Sequence, residues 1–160
     1  AQPIVSYNFG ARNAQRVREA FSCLLRACLS YSMAIWLLVE LFPSVFVRIF
    51  NSTPSLVAYA SRSVRIYMAC SGIFGIQTAC QQTFVALGNA KTSLLLAVWR
   101  KIILLVPLIY ILPCFFADKA FAVFLAEPVA DFGAVVMTSV MFYRQFRRSM
   151  RALEETTGET

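Results

Sequence analysis

Apolar positions gather into four stretches separated by short polar or basic connections. A helix rises about 1.5 Å per residue, so about 20 apolar residues cross the roughly 30 Å hydrocarbon core of a bilayer. The first predicted span covers about residues 20–42 and is stopped by Pro43. The second covers about 66–88, the third about 94–112 before Pro113, and the fourth about 121–143. These four predict an all-α, polytopic transmembrane bundle. In the connection between the first two spans, Asn51, Ser52 and Thr53 offer N-cap oxygens and Pro54 suits a first helical position. A short amphipathic helix is expected to start there and run into the second span. The tail after Arg151 is polar and expected to fray.

Polar positions inside the spans carry the chemistry. In the second, Ser71, Gly75, Thr78 and Gln82 form one stripe at 100° per residue, with Gln77 and Gln81 beside it. Ser71, Gly75 and Ala79 form a small-xxx-small run that lets two helices approach closely. Each glutamine amide needs hydrogen-bond partners in a dry interior, so Gln77, Gln81, Gln82 and Thr78 are candidates for a substrate path as well as for helix packing. The fourth span holds Glu127 and Asp131, spaced i and i+4 and so on one face with Ala134 and Thr138. Carboxylates are costly in hydrocarbon; they face a bundle interior or a wet cavity and serve ion pathways or proton relays. The alternative is a structural ion pair, with Arg26 or Arg100 as partner. Pro128 between the two acids cannot donate its helical hydrogen bond, which leaves the Phe124 carbonyl free. Pro107 in the third span predicts a kink or packing notch.

Composition agrees: 59% of residues are hydrophobic, above the roughly 45–50% of soluble domains. The net charge of +7 comes from residues at the ends of apolar stretches and forms no nucleic-acid-binding face. Arg12, Arg16 and Arg18 precede the first span, Lys91, Arg100 and Lys101 mark the turn between the second and third, and Arg144, Arg147, Arg148 and Arg151 follow the fourth. The other side holds Arg48, Arg62, Arg65 and Lys119. The positive-inside rule therefore places both termini in the cytoplasm. Arg100 and Lys101 are expected to snorkel to that interface, and Glu40 to face water or headgroups. The five cysteines form no CxxC pair and there is no histidine, so no metal site and no catalytic constellation is expected. No secretory signal is visible and the chain opens on Ala1, which reads as a piece of something longer.

Four stretches carry a resemblance. The opening AQPIVSYNFGARNAQ, with Gln2, Pro3, Tyr7, Asn8, Phe9, Gly10, Ala11 and Arg12, resembles a segment at the cytoplasmic end of a helix in the multidrug and toxic compound extrusion (MATE) family. Phe84 to Lys91, Arg100 to Pro113 and Ala126 to Asp131 agree in order and spacing. The resemblance implies a twelve-helix fold in two six-helix lobes, with residues 1–150 here forming part of the C-terminal lobe and 151–160 a polar cytoplasmic tail. The spans would be the ninth to twelfth helices, and the missing N-terminal lobe would be the main partner besides the lipid bilayer. It implies export of small amphipathic or cationic, drug-like compounds in exchange for H⁺ or Na⁺, with no cofactor, in a bacterial plasma (inner) membrane. A carboxylate in the tenth helix, used by some members, has no counterpart here, because the second span carries glutamines. A lipid or lipid-linked oligosaccharide exporter of the wider superfamily, or a non-transporting membrane interaction fragment, is the alternative; an enzyme is not expected.

Overall fold

The computed structural model describes residues 1–50 and 52–158, and among these there is no strand. Eight α-helices follow in order: α1 (Gln2–Gly10), α2 (Ala14–Leu41), α3 (Pro43–Phe50), α4 (Pro54–Met68), α5 (Phe74–Ala86), α6 (Ala90–Val98), α7 (Val106–Phe115) and α8 (Lys119–Gly158). A 3-10 turn, Ser71–Ile73, joins α4 to α5, and a π-helical segment, Trp99–Leu105, joins α6 to α7. Three helical stretches are long and apolar enough to cross a membrane: Ala14–Leu41, Ala90–Phe115 and Lys119–Glu155.

Local chemistry accounts for most boundaries. Asn13 caps α2 by accepting a 3.0 Å hydrogen bond from the Arg16 amide, and Asp118 caps α8 by accepting one of 3.1 Å from the Phe121 amide. After α5 the chain reverses through Gly88 at φ 79°, a left-handed conformation cheap only without a Cβ. There the Asn89 amide reaches back to the Phe84 carbonyl at 2.8 Å and the Gly88 amide to Val85 at 3.0 Å, the paired bonds of a Schellman stop. The α1–α2 turn repeats the pattern, with Asn13 bonded to the Asn8 carbonyl and Arg12 in the left-handed position at φ 56°.

The expected second span is not continuous. Its first part belongs to α4, which starts at Pro54 as the connection's turn chemistry predicts, and it breaks at Ala69–Ile73 before α5 resumes. The expected N-cap oxygen of Asn51 lies outside the described residues. Pro43 ends α2 but also opens the short α3, so the connection is helical on both sides of residue 51. The third span continues through Pro113 to Phe115 instead of ending at Leu112. The tail expected to fray is helical to Gly158, because Met150 and Leu153 pack into a core formed with α1 and α2; residues 159–160 lie outside the described residues.

Helix α8 is the axis of the bundle, touching α4, α5, α7, the π segment and α2. Its face toward the bundle is an alanine ladder, Ala122, Ala126, Ala130 and Ala134, every one essentially buried, continued by Thr138. Four-residue spacing of small side chains lets a helix pack backbone-close along its length. Helix α5 meets α2 the same way: a Cβ on Gly75 would stand 2.5 Å from the Cys28 carbonyl oxygen, so only glycine fits. The expected small-xxx-small contact is thus made with α2. Toward the end that carries both termini, Phe21, Phe84, Phe142 and Phe146 form an aromatic cluster. Its ring centroids are 4.6 Å (Phe21–Phe142), 5.2 Å (Phe84–Phe142) and 5.0 Å (Phe142–Phe146) apart.

Candidate functional site

Glu127 and Asp131 share the inward face of α8, one turn apart, and both are buried. Their partners come from the π segment. Arg100 Nε donates to Asp131 Oδ1 at 2.6 Å and its Nη2 to Glu127 Oε1 at 3.1 Å. Lys101 Nζ donates to the same Glu127 oxygen at 3.2 Å. Two carboxylates therefore meet two cations. The side chains of Arg100, Glu127 and Asp131 are 16%, 11% and 9% exposed, whereas Lys101 is 54% exposed. The Arg100 guanidinium also lies 4.6 Å from the ring centroid of Phe74, the first residue of α5, in a cation–π contact. One arginine thus ties α8, the π segment and α5 together.

The expectation that Arg100 and Lys101 snorkel to the terminal interface is corrected. They stand ten and eleven residues inside a helical stretch that starts at Ala90, about 15 Å along its axis. There both pair with the α8 carboxylates, Arg100 buried and Lys101 half exposed. The π register ends next to Pro107. Pro107 has no N–H to return to the preceding turn, and the wider i→i+5 bonding of 99–105 takes up the mismatch just before it. It also lets two consecutive residues, 100 and 101, reach one carboxylate. Arg26, the other partner considered, instead donates to its own helix at the Ser22 carbonyl and is exposed. The middle of the bundle is consequently charge-balanced, not acidic as the isolated α8 sequence reads.

The remaining candidates do not join this cluster by any direct bond. Gln77 is 1% exposed and its Oε1 has no partner among the described residues; the same holds for the buried Thr138 Oγ1. Thr78 donates to the Phe74 carbonyl and is satisfied within its own helix. Gln81 is half-buried. Gln82 is exposed and accepts a hydrogen bond from Gln2, so it belongs to the docking of α1. Apart from Gln2, the motif residues Pro3, Tyr7, Asn8 and Gly10 make no side-chain hydrogen bond outside α1 among the described residues. Ser6 Oγ donates to the Ala86 carbonyl at 2.8 Å, Asn8 to the Ile4 carbonyl at 2.8 Å, and Val5 fills the core against Val17 and Ala86. Tyr7 and Gly10 are exposed. Lys101 and Phe74 were missed as site residues; the only sequence signal was a basic pair set well inside an apolar helix. Outside the cluster, an apolar cleft of about 450 Å³ lies between α4 and α8, lined by Leu56, Tyr59, Tyr67 and Phe124 among others. Among the described residues no group of histidine, cysteine and acidic side chains could hold a metal.

Comparison with known proteins agrees with this architecture. No curated protein matches the sequence. A solved structure of the MATE multidrug transporter DinF-BH superposes with a TM-score of 0.81 at 32% identity over 89% of this chain. An inward-facing multidrug resistance MATE transporter of the MOP superfamily superposes at 0.82 with 16% identity over 97%. An outward-facing one gives 0.80 with 14% identity over 96%. The chain spans 32%, 35% and 34% of those three proteins, about a third of each. The MatE family model matches residues 1–111, more than half of the sequence. This chain is therefore an integral membrane protein of the MatE family, whose members are transporters and not enzymes.

Proposed function

We propose that the chain is the C-terminal-lobe portion of a secondary transporter that exports amphipathic or cationic organic compounds in exchange for H⁺ or Na⁺. The observation that carries this reading is the cluster of buried Arg100, Glu127 and Asp131 with half-exposed Lys101 within apolar helices of a MatE-family bundle. Ionisable groups inside membrane-spanning helices are costly and mark ion or substrate pathways. Because the cluster is balanced, a proton or sodium ion arriving at either carboxylate leaves one cation in excess. Lys101, half exposed, is the cation freer to turn away, while Arg100 is held against the ring of Phe74. Ion entry is thereby coupled to the packing of the π segment on α8. The apolar α4–α8 cleft supports an amphipathic substrate, and close likeness to both an inward-facing and an outward-facing relative supports a unit that keeps its shape while the lobes rock. The basic collar at the end bearing both termini supports placing that end in the cytoplasm of a bacterial inner membrane.

The test is drug efflux by a complete transporter containing this sequence, in inverted vesicles with a proton or a sodium gradient imposed separately. Efflux under one gradient, weakened more by Asp131→Asn than by Glu40→Gln, is expected. Glu40 faces Arg65 at the far end of the bundle and serves as the control. Efflux under neither gradient, with the protein correctly inserted, overturns the reading; equal resistance in the two variants removes Asp131 from the mechanism.

A further inference from the structure

At the end of the bundle opposite the termini, a cleft of about 700 Å³ opens where α2 stops and α3 and α4 begin. Its polar wall is Ser44, Arg48, Ser52, Ser61 and Arg65. Two features set it apart from an ordinary surface hollow. Arg48 has no acidic partner among the described residues. Arg65 uses only its Nε on Glu40, at 3.0 Å to the carbonyl oxygen and a loose 3.9 Å to the carboxylate, so two arginines face one acid and the cleft keeps a net positive charge.

The same short helix that supplies Arg48 exposes Val45, Ile49 and Phe50, with Phe42 just before it. An apolar edge beside a cleft lined by two arginines at the end of a membrane helix is matched by a ligand with an anionic head and acyl chains. We propose that this cleft binds the phosphodiester headgroup of an anionic phospholipid in the leaflet at the far end of the bundle. Arg48 and Arg65 grip the phosphate oxygens as forks, Ser44 donates a hydroxyl hydrogen bond, and the acyl chains lie along α3. The proposal uses only residues of this chain and stands apart from the ion cluster, so it survives if the coupling mechanism fails.

The experiment reconstitutes the chain in nanodiscs of phosphatidylcholine containing a minority of phosphatidylglycerol and counts retained lipid by native mass spectrometry. One phosphatidylglycerol per chain is expected to persist. It should be held about tenfold more weakly by the Arg48→Gln, Arg65→Gln pair, the scale of losing charge-assisted hydrogen bonds. An Arg144→Gln, Arg148→Gln pair at the other end should retain it as the parent does. Should the first pair fail to insert, Arg48→Lys keeps the charge but not the fork and is expected to retain less lipid than Arg144→Lys. Equal loss from both ends overturns the proposal. So does inorganic phosphate that binds the detergent-solubilised chain and displaces the lipid, since the cleft would then be a free-anion site.

Discussion

Replacing Arg100 with glutamine tests the cluster directly. The parent holds two cations against two carboxylates; R100Q leaves Glu127 with Lys101 and strips Asp131 of its 2.6 Å partner. Asp131 is 9% exposed and cannot find water without moving α8. Removing one partner of a buried pair costs about 3–5 kcal/mol. At roughly 2–4 °C per kcal/mol for a chain of this size, the midpoint should fall by roughly 10 °C. D131N should be milder, because Arg100 keeps Glu127 at 3.1 Å and the surplus cation, Lys101, is half exposed. The double variant R100Q/D131N restores the balance through the Glu127–Lys101 contact at 3.2 Å and should return to within about 1 kcal/mol of the parent. A thiol-reactive dye suits the assay, since Cys80 is buried and reports unfolding above the baseline of the exposed Cys23 and Cys114. A coupling of at least about 2 kcal/mol is expected from the cycle. An R100Q that melts with the parent, or a double variant whose loss is the sum of the singles, refutes the reasoning.

Three further outcomes follow from packing and charge. Phe142→Ala removes the ring that touches Phe21, Phe84 and Phe146 and should cost about 3–5 kcal/mol in the same melt; a loss under about 1 kcal/mol would show that the aromatic cluster does not bind the helices. Gly75→Ala drives a methyl against the Cys28 carbonyl, a backbone atom that cannot swing aside, and should cost about 1–3 kcal/mol, whereas Gly10→Ala meets nothing within 4 Å and should be silent. The Arg18–Glu154 bridge, 2.7 Å long but half exposed at both ends, should contribute less than about 1 kcal/mol in a mutant cycle and vanish in high salt; a salt-independent coupling would show it to be shielded.

The sequence made the α2, α6–α7 and α8 spans legible because each is a long apolar run, although only α2 ends where its proline predicts. It also placed Glu127 and Asp131 on one inward face, since that follows from helical period alone. It did not reveal the break at Ala69–Ile73, because no proline marks it; Gly72 instead fits against Met33 and Trp36 of α2, a tertiary cause. The π segment was equally hidden. Pro107 predicted a disturbance, but which register absorbs it depends on what faces Arg100 across the bundle. Arg100 and Lys101 were misplaced because a positive charge near a helix start reads as an interfacial anchor until its distance from that start is known. Gln82 shared a stripe with Thr78, yet its partner, Gln2, lies eighty residues away.

The length of α8 has a mechanical consequence. From Pro128 to Gly158 the helix continues for about 45 Å without interruption. A bend of only about 10° at the proline would swing its far tip by roughly 8 Å over that lever. The tip is not free: Met150 is lodged against Val5 and Val17, and Glu154 grips Arg18. Any bend at Pro128, between the carboxylates of Glu127 and Asp131, would therefore be carried by a stiff rod to α1 and the start of α2 at the other end of the bundle.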